Sequence, residues 1–317
     1  LGVGSVIGGE YEAALVEVLD DLVADRPING NGATIHLEKL QFRVPDRSGL
    51  PPLESYGKLI MADGAERVAG YVEASRGCKH RCRHCPVVPV YDGAFRIVQR
   101  DIVVADIAQQ VAAGAQHISF GDPDFFNGPS HGIGVVSALH ERFPDLTYDV
   151  TIKVEHLLRH RDLLPTLVET GCLFVTTAVE ALDDDSLDIL DKGHTRADFI
   201  EALALARQVG LTLSPTFVAF APWTSLASYA ALLQDLADLD LTEHVAPVQL
   251  AIRLLVPRGS LLVGHAAMAN AIGPFDAEAL SFGWRHVDQR VDALQRDIQR
   301  AVESGDTAGD TRSTVFG

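Results

Sequence analysis

Between about residues 69 and 253, short apolar runs alternate with longer stretches whose apolar residues return every three or four positions. The short runs, 70–74, 117–121, 147–152, 173–179, 212–219 and 248–253, read as strands. The longer stretches, 102–113, 132–142, 162–170, 195–209 and 226–239, read as helices. Successive strand–helix steps imply right-handed crossovers and a parallel sheet. The fold class is therefore α/β, a partial (βα)6 barrel with its chemistry on loops at the carboxyl ends of the strands.

The flanks differ. Residues 1–9 read as a short buried strand closing on Gly8-Gly9, and 10–24 carry Leu15, Val18, Leu19 and Leu22 on one helical face. One strand and one helix cannot enclose a core, so residues 1–25 are expected to be the last βα unit of a doubly wound domain. Residues 26–67, rich in Pro, Gly and Asn, read as a surface linker with short extended pieces such as 34–37. The barrel is expected over 68–260. A helical extension over 261–303, with its helix at about 288–302, and a polar, linker-like tail over 304–317 follow.

Apolar residues make up 47% and charged residues 22% of the 317, an ordinary globular balance. No apolar run reaches membrane-spanning length and no basic segment opens the chain, so a cytoplasmic protein without a membrane partner is expected. A formal charge of −17 makes a nucleic-acid duplex a poor partner, the basic run 79–83 being a local exception. Three of the 4 cysteines are clustered, which points to metal or cluster ligands in a reducing compartment. Cys172, in Gly171-Cys172-Leu173-Phe174, reads as a small buried core residue.

Cys78, Cys82 and Cys85 follow the first barrel strand with the spacing C-x3-C-x2-C. Three thiolates on a short loop suit three corners of a cubane cluster and leave one iron open to a ligand; electron carriers usually supply four cysteines. The basic neighbours offset negative charge, and Gly77 permits a tight turn. A structural zinc site with His80 or His84 as fourth ligand is the alternative, although no second ligand pair is present.

This motif, placed after the first strand of such a repeat, resembles the radical S-adenosylmethionine (SAM) superfamily across about residues 68–260. The resemblance implies a 4Fe–4S cluster whose open iron chelates the amino and carboxylate groups of SAM. Reductive cleavage of SAM would then yield a 5′-deoxyadenosyl radical. His84 stands where the family usually has an aromatic residue near adenine. Tyr91-Asp92-Gly93-Ala94-Phe95-Arg96, the stretch 101–113 and Ile118-Ser119-Phe120-Gly121-Asp122-Pro123-Asp124-Phe125 resemble cobalamin-binding radical SAM enzymes. Gly8-Gly9-Glu10-Tyr11-Glu12 is similar to the close of their cobalamin domain. Val44-Pro45-Asp46-Arg47-Ser48-Gly49-Leu50-Pro51-Pro52 and Asp191-Lys192-Gly193-His194-Thr195-Arg196 resemble an uncharacterised group with C-terminal Cys/Sec-Cys-Ala-Glu-Pro tails, a tail absent from this sequence.

By that resemblance the strand ends carry SAM. Gly121, Asp122 and Asp124 stand at the place of the family's Gly-Gly-Glu motif and would accept from the SAM ammonium; an acidic turn capping the next helix is the alternative. Lys153 would meet the carboxylate, or be a solvated edge, and Glu155 a ribose hydroxyl. Glu180, an acid ending an apolar strand, needs a polar partner that ribose would supply. Lys192 is a carboxylate-binding base or a helix terminator. Thr216 would reach ribose or base. Arg253, on the same run as Gln249, would bind an anionic substrate group or pair with a core acid. His117, His156 and His160 read as structural or surface groups. The expected partners are a small-molecule substrate and an electron donor such as flavodoxin or ferredoxin. Cobalamin-dependent methylation, radical rearrangement or oxidation without cobalamin, and a non-catalytic Fe–S or zinc scaffold all remain open here.

Overall fold

The computed structural model describes residues 5–27, 32–61 and 63–317. A parallel strand–helix–strand unit comes first: β1 (Ser5–Gly9), α1 (Glu12–Val23) and β2 (Gly32–His36), with Ser5 opposite Gly32 and Gly9 opposite His36. Of the strand expected over 1–9, residues 1–4 lie outside the described residues. The stretch expected as linker therefore supplies a strand of its own. Of α1 only Ala14 is buried, and Leu15, Val16, Leu19, Leu22 and Val23 are exposed.

β3 (Lys58–Ile60) pairs antiparallel with β4 (Glu66–Val72). A hairpin of β5 (Ser75–Gly77) and β6 (Phe95–Ile97) then encloses the cysteine loop and the single turn α2 (Val88–Tyr91). Next come α3 (Arg100–Ala112), β7 (His117–Phe120), α4 (Pro129–Arg142), β8 (Thr147–Thr151), α5 (Val154–Arg159) and α6 (Leu164–Glu169). They are followed by β9 (Cys172–Glu180), α7 (Asp184–Leu190), α8 (Arg196–Val209), β10 (Thr212–Phe217) and α9 (Leu226–Asp238). The sheet order is β10-β9-β8-β7-β4-β3, a curled half-barrel in which all but β3 run parallel.

The expected sixth strand does not form. Residues 247–251 make a 3-10 helix with Pro247 in its first turn, and a single parallel bridge, Phe220 to Arg253, is all that remains of the pairing. Proline lacks the N–H that a sheet needs, which favours the helical turn. Gln249 instead turns its side chain on the open edge: its Oε1 accepts from Phe217 N of β10 at 3.1 Å.

The two faces of the sheet are chemically different. Ile118, Phe120, Tyr148, Val150, Val175, Val179, Leu213 and Phe217 are buried with Ile107, Leu139, Leu157, Leu167, Phe199 and Leu232 of the helices. Side chains alternate along a strand, so the other face carries Tyr71, Ser119, Asp149, Thr151, Thr176, Ser214 and Thr216, all half-buried or exposed. Asp149 Oδ1 there accepts from Ser119 Oγ at 2.6 Å and meets His117 Nε2 at 2.8 Å. His117 is thus structural, as expected.

The C-terminal extension is not wholly helical. β11 (Ile272–Asp276) and β12 (Ser281–Trp284) form a hairpin before α10 (Gln289–Ala308) and α11 (Arg312–Phe316). The tail read as linker is therefore mostly helix, stopped and restarted by Gly309 in the left-handed region and the Thr311 cap. α10 packs on the 3-10 turn, with Gln295 Nε2 donating to Ala251 O at 3.0 Å. Among the described residues no helix is long and apolar enough to cross a membrane.

Candidate functional site

The cysteine loop is held from both ends. Asp122, at the end of β7, accepts from Ala74 N at 2.9 Å and from Ser75 Oγ. Gly77 has φ +70°, and a Cβ there would fall 2.4 Å from Ala94 O. Only glycine fits that left-handed turn. At the far end Arg83 N donates to Leu190 O at 2.9 Å, and Arg83 Nη1 donates to Asp188 O and Ile189 O at 2.7 and 2.9 Å. A cation on the last carbonyls of α7 is well placed. The other bases of the run are also spent: Lys79 Nζ donates to Asn127 O at 2.6 Å, and Arg81 pairs with Asp92 at 2.7 Å. The basic run is a set of clamps, not a free patch.

Cys78, Cys82 and Cys85 are free thiols, the first two buried and the third partly so. Burial pushes the Cys78 and Cys85 thiols up, and neighbouring Cys82 and Cys78 add to the rise at Cys85. Lys153 Nζ lies 3.8 Å from Cys82 Sγ. Cys172 is buried away from the loop; its Sγ donates to Phe174 O at 3.4 Å, and burial raises its pKa, so it is a core residue as expected.

Around this loop the structure gathers charge. Glu180, at the end of β9, has Lys192 Nζ at 3.4 Å and His84 Nε2 at 3.2 Å from its Oε1. Burial works against the Glu180 anion, but Lys192 and His84 more than reverse it and bring the carboxyl down to about 2. Lys153, the residue before α5, reaches Glu155 Oε2 at 3.8 Å. His194 is buried, and neither ring nitrogen has a hydrogen-bond partner among the described residues. Burial, then Lys192 and Lys153, lower its pKa to about 4. Two buried ammonium groups beside this imidazole make a cluster suited to an anionic or zwitterionic ligand.

The remaining expected contacts fare differently. Thr216 lies half-buried on the polar face, opposite Ala178 of β9. A Cβ at Gly121 would fall 1.7 Å from Tyr71 Oη, so this glycine makes room for a side chain of β4. Asp122 is buried, and each of its oxygens accepts a hydrogen bond from the start of the cysteine loop, so it braces that loop. Asp124 is fully buried and caps the short turn after β7 through Phe126 N at 3.2 Å, the capping alternative. Arg253 takes the core acid: it pairs with Asp292 of α10 at 2.7 Å, with its guanidinium 3.9 Å from the Trp284 ring. His84, expected near adenine, lies on Glu180, and His194 was not singled out as a contact in sequence; its signal was its place two residues after Lys192.

Residues 72–221 match the model described as the radical SAM superfamily. The hopanoid C-3 methylase of Methylococcus capsulatus is 24% identical over 152 residues, 48% of this chain and 29% of that protein. The uncharacterized methyltransferase PH0819 of Pyrococcus horikoshii is 23% identical over 250 residues, 75% of this chain and 54% of that one. The chain thus spans about half or less of these relatives. Two solved structures share the fold. One is the cobalamin-dependent S-adenosylmethionine radical enzyme OxsB with aqua-cobalamin and S-adenosylmethionine bound: TM-score 0.62, 15% identity, covering 95% of this chain and 58% of that one. The other is the radical S-adenosylmethionine methyltransferase TsrM from Kitasatospora setae with tryptophan and a SAM analogue: TM-score 0.61, 19% identity, 81% and 52% covered.

Proposed function

Through residues 72–221 this chain belongs to the radical SAM superfamily, and on that footing we propose that it is the catalytic barrel of a cobalamin-dependent radical SAM methyltransferase acting on a small molecule. The observation that carries the reading is three free thiols on one clamped loop beside the buried Lys153, Lys192, Glu180 and His194. Buried thiolates need a strong positive partner, and cluster iron is one, so the residues fit a 4Fe–4S cluster held by Cys78, Cys82 and Cys85. When bound, the cluster supplies the electron that breaks the C5′–S bond of SAM.

The chain's own residues bind and orient. Lys153 and Lys192 hold the SAM carboxylate, and His194 gains there the partner it otherwise lacks. Glu180, Glu155 and Thr216 serve the ribose hydroxyls. Ser119, Asp149, Thr151, Thr176 and Ser214 line the inner face with hydroxyls and one carboxylate. A substrate bearing hydroxyl or amino groups suits that face better than a purely apolar one.

Cobalamin enters the reading from OxsB and TsrM, whose names state it or whose structures hold it, and from the exposed apolar stripe of α1, which suits cover by a further domain. A flavodoxin or ferredoxin is the expected electron source. Anaerobic reconstitution should give about four irons per chain, lost on changing Cys78, Cys82 or Cys85 to Ala. Dithionite-driven SAM cleavage should follow the iron and survive Cys172→Ala. Stoichiometric zinc with no iron uptake would overturn the radical SAM reading. Whole protein purified with hydroxocobalamin should keep a corrin spectrum through gel filtration; its absence from cluster-loaded protein removes the cobalamin part alone.

A further inference from the structure

Strand β3 covers the outer edge of β4 only as far as Val68, opposite Lys58. Beyond it, a cleft of about 540 Å³ opens between β4 and residues 50–57. Its outer wall is Leu50, Pro51, Pro52 and Tyr56, with Leu50 and Tyr56 exposed, while Tyr71 and Ser119 stand on the barrel side. The wall is pinned in place. Arg47 pairs with Asp106 of α3 at 2.6 Å and donates to Tyr71 O at 3.3 Å. Gln110 takes both backbone groups of Tyr71, at 2.9 and 3.0 Å. Side chains thus satisfy the strand edge here, and what the cleft lacks is an apolar occupant.

The cleft ends in the polar interior of the half-barrel. Ser119 lies opposite Tyr71 in the sheet, and its Oγ donates to Asp149 Oδ1 at 2.6 Å. Buried His117 meets the same oxygen at 2.8 Å. The bland reading is a structural His117–Asp149 pair. Both contacts fall on Oδ1, however, and Oδ2 has no hydrogen bond among the described residues. Two neighbours fix the carboxylate through one oxygen and leave the other to a donor. The Tyr71 ring reaches on from the cleft to Gly121, next to the Asp122 that braces the cysteine loop.

We propose that the substrate is an amphipathic amine, its cationic head on Asp149 Oδ2 and its apolar body in the cleft; this deepens, and rests on, the reading of the half-barrel as the substrate chamber. Ser119 lines the cleft and touches Asp149, so one ligand can occupy both. The wall contributes in proportion to the apolar area it covers. The braced carboxylate selects an ammonium or guanidinium over a neutral hydroxyl, because a charged donor makes the stronger bond. A polar anchor at one end and an apolar wall at the other suit neither a wholly apolar ligand nor a small, wholly polar one.

The test uses n-octylammonium and n-octanol as probes, in equilibrium dialysis against the full chain. Octylammonium should bind roughly tenfold or more tightly than octanol. Asp149→Asn should weaken octylammonium roughly ten- to hundredfold and leave octanol unchanged. Leu50→Ala, at an exposed position that the fold does not need, should weaken both probes about threefold. Octylammonium bound no better than octanol overturns the proposal, and that comparison needs no variant should Asp149→Asn fail to fold. Octylammonium bound equally by wild type and folded Asp149→Asn, or equally by wild type and Leu50→Ala, overturns it too. Iron content and SAM cleavage are measured separately, so failure here is told apart from failure of the radical SAM reading.

Discussion

Glu180 and Lys192 form a buried ion pair, Oε1 to Nζ 3.4 Å, at the carboxyl end of β9. Glu180 holds φ +71°, a left-handed conformation rare outside glycine, and the pair with Lys192 and His84 keeps it there. Lys192→Met leaves a buried carboxylate without its countercharge and should destabilise the fold by about 3–5 kcal/mol. An unchanged melting temperature would show that the pair is not structural. Glu180→Ala should lower SAM affinity roughly ten- to hundredfold, the loss of a hydrogen bond to a charged group at ~1.5–3 kcal/mol, with iron content unchanged.

Among the described residues neither ring nitrogen of His194 makes a hydrogen bond of good geometry. His194→Ala should therefore leave the melting temperature of the SAM-free chain nearly unchanged while weakening SAM binding roughly tenfold, measured by equilibrium dialysis. Equal SAM affinity in both forms would remove His194 from the pocket.

Gly121 answers to Tyr71. Gly121→Ala drives a methyl group to 1.7 Å from Tyr71 Oη and 2.2 Å from its ring, so the Tyr71 side chain must leave its place. The variant should melt well below wild type, and Tyr71→Ala in the same chain should restore much of the loss. Two additive losses in that double-mutant cycle would disprove the coupling.

Asp122 sets an acid-side dependence. Burial, only partly opposed by Ser75 and Ala74, pushes its carboxyl up to about 7. A folded pKa above the unfolded value of about 3.9 means that the native state binds the extra proton between them. That contribution is full below the unfolded pKa and is lost as pH rises toward 7. Asp122→Asn should thus gain on wild type in urea melts as pH goes from about 4 to 7. A difference that stays flat or shrinks over that range contradicts the assignment.

Strands β7 to β10 and helices α3, α4, α8 and α9 were legible because buried strands and amphipathic helices write their periods into the sequence. The cysteine cluster was legible because one loop carries Cys78, Cys82 and Cys85. α5 was read as strand end, although Val154, Leu157 and Leu158 already had helical spacing. Apolar run 248–253 was ambiguous, since a short run fits a strand or a turn equally well. Asp122 and Asp124 misled because an acidic strand end looks the same whether it faces a ligand or braces a loop. The joining of Tyr56, Ser119 and Asp149 had no sequence signal, because three separate segments supply them and only the fold brings them together.

β10 closes the sheet on one side, and such an edge offers unpaired backbone groups to any extended chain that meets it. The amide of Gln249 takes the place of the neighbour that never forms. A side chain fills the hydrogen bond without presenting a new edge of its own. The half-barrel is thus blunted, at this point, against self-association through added strands.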